Sequence, residues 1–231
     1  MTNLPRETLD RKIKELQDQV LVLESMVRQA TNGSVESLMN KDTHAARQIY
    51  ANDALINKKR YEIERDCLIT IATQQPMASD LRVLASIFEI ITEIERMGDY
   101  AKGIAKITLL TEAEPTLPLV SELPKMAQIA TNMLTKAIHA FIDQDIETAR
   151  SLPKDDDLVD ELFNKIYRGL VEHMNKNPDS IDLANHLQWA VHNIERMADR
   201  VINICERTIF VVTGEMNELE ESDDELLTGS A

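Results

Sequence analysis

The chain has 231 residues, of which 43% are hydrophobic and only 4% aromatic, and it carries a formal net charge of −15. That length allows one large domain or two of about 100 to 130 residues, and the acidic balance argues against binding a nucleic-acid backbone, which needs clustered Lys and Arg. The charged, amphipathic start "MTNLPRETLDRKIKEL" does not read as a signal peptide. Runs such as "LASIF" fall far short of the roughly 20 apolar residues a spanning helix needs. Two cysteines, Cys67 and Cys205, predict no disulfide framework. These features together predict a soluble, cytoplasmic protein.

Six glycines and seven prolines leave few turns, and Ala, Leu, Ile, Met, Glu and Lys dominate, so the elements should be long helices. The first predicted helix runs from about Pro5 to Asn40 on the stripe Leu9, Ile13, Leu16, Val20, Leu23 and Val27. A cap at Asp42 or Thr43 starts the second, which Pro76 ends after about Gln74. The third runs from near Ser79 to near Glu112, followed by the linker "EAEPTLPLVSELP". A fourth, fifth and sixth begin at about Ser121, Asp145 and Asp179. The last 17 residues, "EMNELEESDDELLTGSA", hold seven acids and no base, and read as a disordered tail.

The second set of three helices repeats the first. "NKDTHAARQIYANDALIN" (40–57) lies over "DQDIETARSLPKDDDLVD" (143–160) at a shift of 103 residues. "IERMGD" (94–99) lies over "IERMAD" (194–199) at a shift of 100, so the second copy has lost about three residues between these helices. A duplicated set of three amphipathic helices with short joins packs best as an antiparallel bundle. The fold class expected is therefore all-α, a tandem of two three-helix bundles, with repeats over 1–113 and 119–214 and a tail over 215–231.

Each repeat writes two acids one turn apart, Glu95 and Asp99 and then Glu195 and Asp199. At 100° per residue both Glu positions fall inside the core arc and both Asp positions at its edge. The preceding helices place Asp53 with Asn57, and Asp156 with Asp160, on matching flanks. Two carboxylates side by side in a groove need something positive between them, either basic side chains or a metal. Arg96, Lys102, Arg196 and Arg200 are the bases near in sequence, but Arg96 and Arg196 point about 100° away from the neighbouring Glu. Oxygen-only ligands suit Mg²⁺, Mn²⁺, Ca²⁺ or iron. His192, three residues before Glu195, lies on the same face and reads first as a surface histidine.

Catalytic constellations are missing from the sequence. It has no Gly-rich phosphate loop, no Gly-x-Ser-x-Gly, no Cys-x-x-Cys and no Glu-x-x-His. Both cysteines fall on core stripes, and the ten methionines read as packing. No enzyme is expected.

The doubled "IERMGD" and "IERMAD" turns, "QQPMASDLR" (74–82) and "DDLVD" (156–160) resemble the PhoU family over about residues 5–215. The resemblance implies two three-helix bundles, usually dimeric, that bind metal through paired acidic motifs. Carried over by position, the metal residues are Asp53, Asn57, Glu95 and Asp99 in the first repeat, and Asp156, Asp160, Glu195 and Asp199 in the second. Asn57 stands where the motif prefers an acid, so the first site should hold metal less well. Fe, Zn, Mg or Mn are the metals implied.

The resemblance further implies a negative regulator of phosphate uptake and phosphate-starvation signalling. Its implied partners are the ATPase subunit of a phosphate ABC transporter and a phosphate sensor histidine kinase. A homodimer is expected, with no nucleic-acid binding and no membrane insertion. The rival readings are a scaffolding bundle whose acid turns are solvated grooves, and a metal-dependent hydrolase, which would lack a base or nucleophile beside its acids.

Overall fold

The computed structural model describes residues 4–115, 117–216 and 219. Most of the predicted acidic tail, 215–231, lies outside the described residues. The described residues form seven α-helices: α1 (Leu4–Asn40), α2 (Thr43–Gln74), α3 (Ser79–Leu110), α4 (Leu123–Asp143), α5 (Ile146–Ser151), α6 (Pro153–Lys176) and α7 (Ile181–Thr213). No strand occurs among them.

Local chemistry sets the helix ends. Asp42 caps α2 by accepting from the Ala45 N–H at 2.9 Å, and its repeat counterpart Asp145 caps α5 by accepting from the Thr148 N–H at 3.1 Å. Gln75, with φ 50°, closes α2 just before Pro76, and Gly214, with φ 80°, closes α7. Two short 3₁₀ turns, Pro118–Val120 and Pro178–Ser180, precede the fourth and seventh α-helices, and α4 and α7 begin two residues later than the expected starts at Ser121 and Asp179. The fifth predicted helix is broken in two at Leu152. Pro153 has no N–H to donate, and its ring crowds the carbonyl four residues back. It therefore opens α6 instead of continuing α5.

Helices α1, α2 and α3 pack on one another as the first bundle, and α4, α6 and α7 as the second, with α5 against α4 and α7. The stripes predicted from periodicity face inward: Leu16, Val20, Leu23 and Val27 on α1, Ile87, Ile91 and Ile94 on α3, and Leu187, Val191 and Ile194 on α7 are all buried in one continuous core. The halves join along α3 against α7 and α1 against α4. Glu93 meets Arg200 and Asn203, and an added methyl on Gly103 would meet Asn193 at 2.9 Å. Numbers rise on one helix as they fall on the other, so α3 and α7 run antiparallel. Gly98 lies near the midpoint of that crossing, and a methyl there would come within 3.2 Å of Ile56 on α2.

Candidate functional site: two carboxylate grooves

The first groove lies between α2 and α3, which run antiparallel with Ile56 against Gly98 and Arg60 donating to Thr92 Oγ1 at 3.4 Å. This register sets Asp53 and Asn57 beside the turn carrying Glu95 and Asp99. Asp53 is 5% exposed, an uncommon position for a carboxylate. Its Oδ2 accepts from Lys102 Nζ at 2.6 Å and from Asn57 Nδ2 at 3.2 Å. The Tyr50 ring lies 5.3 Å from the same ammonium. Burial, then Asp99 and Asp53, push the Glu95 carboxyl above its usual range, against the pull of Arg60 and Arg96. Asp99 is raised by burial and by Asp53, and drawn back by Lys102. Its hydrogen bond to Asp53 raises Lys102 in turn, so the ammonium stays charged.

The second groove lies between α6 and α7. Phe163 and His192 are in ring contact at 6.0 Å, which brings the turns carrying Asp156 and Asp160 level with those carrying Glu195 and Asp199 along two antiparallel helices. All four acids are half-buried and engaged in interactions within the protein. His192 Nδ1 sits 3.0 Å from Glu195 Oε2. Burial and Arg196 lower the His192 pKa, so at neutral pH it is an uncharged imidazole. Trp189 stands edge-on to His192 at 6.3 Å and is half exposed.

Three of the four bases near these acids in sequence turn away from the grooves. Arg96 pairs with Glu93 at 3.0 Å, Arg200 reaches Glu93 at 3.2 Å, and Arg196 lies over the Tyr100 ring at 4.7 Å. All three line the seam between the repeats, as the 100° offset predicts for Arg96 and Arg196. Lys102 alone of the four enters a groove. Sequence reasoning missed Arg60, although it follows Asp53 by seven residues and Asn57 by three on one helix face. It also missed Glu93, for which no local signal existed.

The groove residues bear on a metal in different ways. The second set supplies four carboxylates, a hard-oxygen donor set suited to a divalent cation or iron, with His192 beside one of them. The first set turns two donors, an ammonium and an amide N–H, onto one carboxylate oxygen. Among the described residues, no three His, Cys, Asp or Glu side chains already converge as a metal centre. Burial pushes the Cys67 and Cys205 thiols up to about 12, so neither offers a thiolate.

Fold and grooves together define a class: a duplicated three-helix bundle that carries paired carboxylates in the same helix–helix groove of each half. The sequence matches the PhoU domain family twice, over residues 20–108 and 123–208, and the chain belongs to that family. It is similar to a phosphate-specific transport system accessory protein PhoU homolog of Aquifex aeolicus, 32% identical over 208 residues, covering 90% of this chain and 94% of that protein. Among solved structures, PhoU from Pseudomonas aeruginosa aligns with a TM-score of 0.83 at 28% identity, covering 89% of this chain and 99% of that one. The phosphate transport system regulatory protein PhoU from Streptococcus pneumoniae aligns with a TM-score of 0.83 at 29% identity, covering 91% and 100%. No helix among the described residues is long and apolar enough to cross a membrane.

Proposed function

We propose that this protein is a non-enzymatic negative regulator of phosphate uptake and phosphate-starvation signalling. The observation that carries this reading is the match to phosphate-transport accessory proteins through both repeats and nearly the whole chain. Control passes through protein contacts in the cytoplasm, with a homodimer bridging the ATPase subunit of a phosphate ABC transporter and a sensor histidine kinase. An acidic surface suits neither DNA nor RNA.

Within this reading Asp156, Asp160, Glu195 and Asp199 hold a cation, one of Fe, Zn, Mg or Mn. A bound cation would offset part of the negative charge of the four acids that α6 and α7 bring side by side. His192 stands beside the Glu195 carboxylate, with Nδ1 at 3.0 Å from Oε2. The first set, Asp53, Asn57, Glu95 and Asp99, has three formal charges and is the poorer cation site.

Deleting the gene should leave phosphate-starvation genes active in phosphate-rich medium, and a pull-down should recover the transporter ATPase or the kinase. Normal silencing in the deletion strain, with neither partner recovered, defeats the regulatory reading and leaves a scaffolding bundle. Metal analysis of protein purified without chelator should find metal that Glu195→Gln removes. Metal unchanged by that substitution counts against the second groove.

A further inference from the structure

We propose that Lys102 is the resident cation of the first groove: its ammonium occupies Asp53 and excludes metal there, so the two repeats, alike in motif, differ in kind. This inference takes the metal reading of the grooves as its background. It is carried by the contacts of one oxygen, Asp53 Oδ2, which receives Lys102 Nζ at 2.6 Å and Asn57 Nδ2 at 3.2 Å.

A divalent metal binds carboxylate oxygen at about 2.0 to 2.6 Å. Placed on Asp53 Oδ2, it would stand within about 4 Å of the ammonium, where like charges in a half-buried groove repel. The metal therefore has to displace Lys102, and the lysine is held on two sides. Asp53 gives it a short charge-assisted bond, and Tyr50 faces it at 5.3 Å. Its side chain retains 31% exposure, so the charge sits at the groove mouth without full desolvation. Asn57 directs its N–H toward the carboxylate, a polarity opposite to that of a metal ligand. Arg60 adds positive charge that acts on Glu95.

The repeat correspondence shows that none of these groups has its like in the second copy. At shifts of 103 and 100, Tyr50 becomes Pro153, Asn57 becomes Asp160, Arg60 becomes Phe163 and Lys102 becomes Ile202. The four positions that set the charge of the first groove carry a proline, an acid, an aromatic and an aliphatic residue in the other repeat.

The test counts bound Mn²⁺ per chain by electron paramagnetic resonance on full-length, chelator-stripped protein, with helicity checked by circular dichroism. In the wild type, Glu95→Gln should leave the count unchanged. Lys102→Met should add binding, tightening the first groove on the order of tenfold or more, and Glu95→Gln introduced on that background should erase the gain. Lys102→Arg, which keeps a cation, should behave as wild type. Trp189, the only tryptophan, lies beside the second groove, so its fluorescence should not follow the added site. A wild-type count that falls on Glu95→Gln overturns the proposal, as does a folded Lys102→Met protein with no gain. Lys102→Gln replaces Lys102→Met if the latter does not fold. Wild-type protein that binds no Mn²⁺, together with a gain in Lys102→Met, upholds the lysine and defeats the metal reading of the second groove instead.

Discussion

Glu93 is the place to perturb the union of the two repeats. It is 8% exposed, and its carboxylate accepts from Arg96 at 3.0 Å on its own helix and from Arg200 and Asn203 at 3.2 Å on α7. Glu93→Ala removes three bonds at once. Arg96 is 48% exposed and simply rehydrates, so its share is about 0–1 kcal/mol. Arg200 keeps its bond to the Tyr100 hydroxyl at 3.3 Å, and the half-buried Asn203 amide loses its carboxylate acceptor. Hydrogen bonds to a charged group contribute about 1.5–3 kcal/mol each when shielded, and relief of carboxylate desolvation offsets part of that. The net expectation is a loss of about 2 kcal/mol, or roughly 4–8 °C in Tm for a chain of this size. Calorimetry should show the loss, and the exposed neighbour Glu89→Ala should stay within about 0.5 kcal/mol of wild type. A cycle with Arg200→Ala should give a coupling of at least about 0.5 kcal/mol. Equal Tm values for Glu93→Ala and Glu89→Ala, or no coupling, would refute this account of the seam.

Other outcomes follow from the same contacts. Glu95 has its carboxyl pKa raised in the folded state, so its ionisation opposes folding. Glu95→Gln should therefore stabilise metal-free protein at pH 8, with the gain fading as pH falls through the folded pKa toward the ordinary Glu value, as read by urea titration. Asp42→Ala and Asp145→Ala each remove a side-chain cap and should cost about 1 kcal/mol, seen as a lower urea midpoint at unchanged slope. Gly98→Ala gains helix propensity of about 1 kcal/mol but presses a methyl to 3.2 Å from Ile56 Cγ2, so it should stabilise clearly less than that figure, as read by thermal melting. Normal propensity gain in Gly98→Ala alone would show that Ile56 moves aside without cost.

The helices were legible because their apolar residues recur at helical spacing and their ends carry Asp, Pro and Gly where caps need them. The break in the fifth helix was also written in the sequence, since Pro153 cannot continue a helix, although the repeat sets it against an unbroken stretch of α2. Tyr50 occupies that position in the first copy and leaves α2 unbroken. Glu93 was illegible for a different reason. On an isolated three-helix bundle its face of α3 would be solvent, and only the arrival of α7 buries it. No pattern within one helix records that.

The groove acids could be placed on their faces by counting, but their electrostatic setting could not. Lys102 follows Asp99 by three residues, so its side of the helix was readable, whereas its partner Asp53 depends on the register of Ile56 against Gly98 across two helices. The duplicated Ile-Glu-Arg-Met turn shows why motif and setting separate. Ile94, Ile194, Met97 and Met197 are buried in the core, while Arg96 and Arg196 serve the seam between the halves. Glu95 and Glu195 are the only members of the turn directed at a groove. Three of the four letters are therefore held by packing and by the join, and would persist in both repeats whatever the grooves bind. The groove's character is decided by residues outside the motif: Tyr50, Asn57, Arg60 and Lys102 in one repeat, and Pro153, Asp160, Phe163 and Ile202 in the other. These residues differ while the motif and its packing are shared, so one duplicated fold carries two electrostatically different grooves.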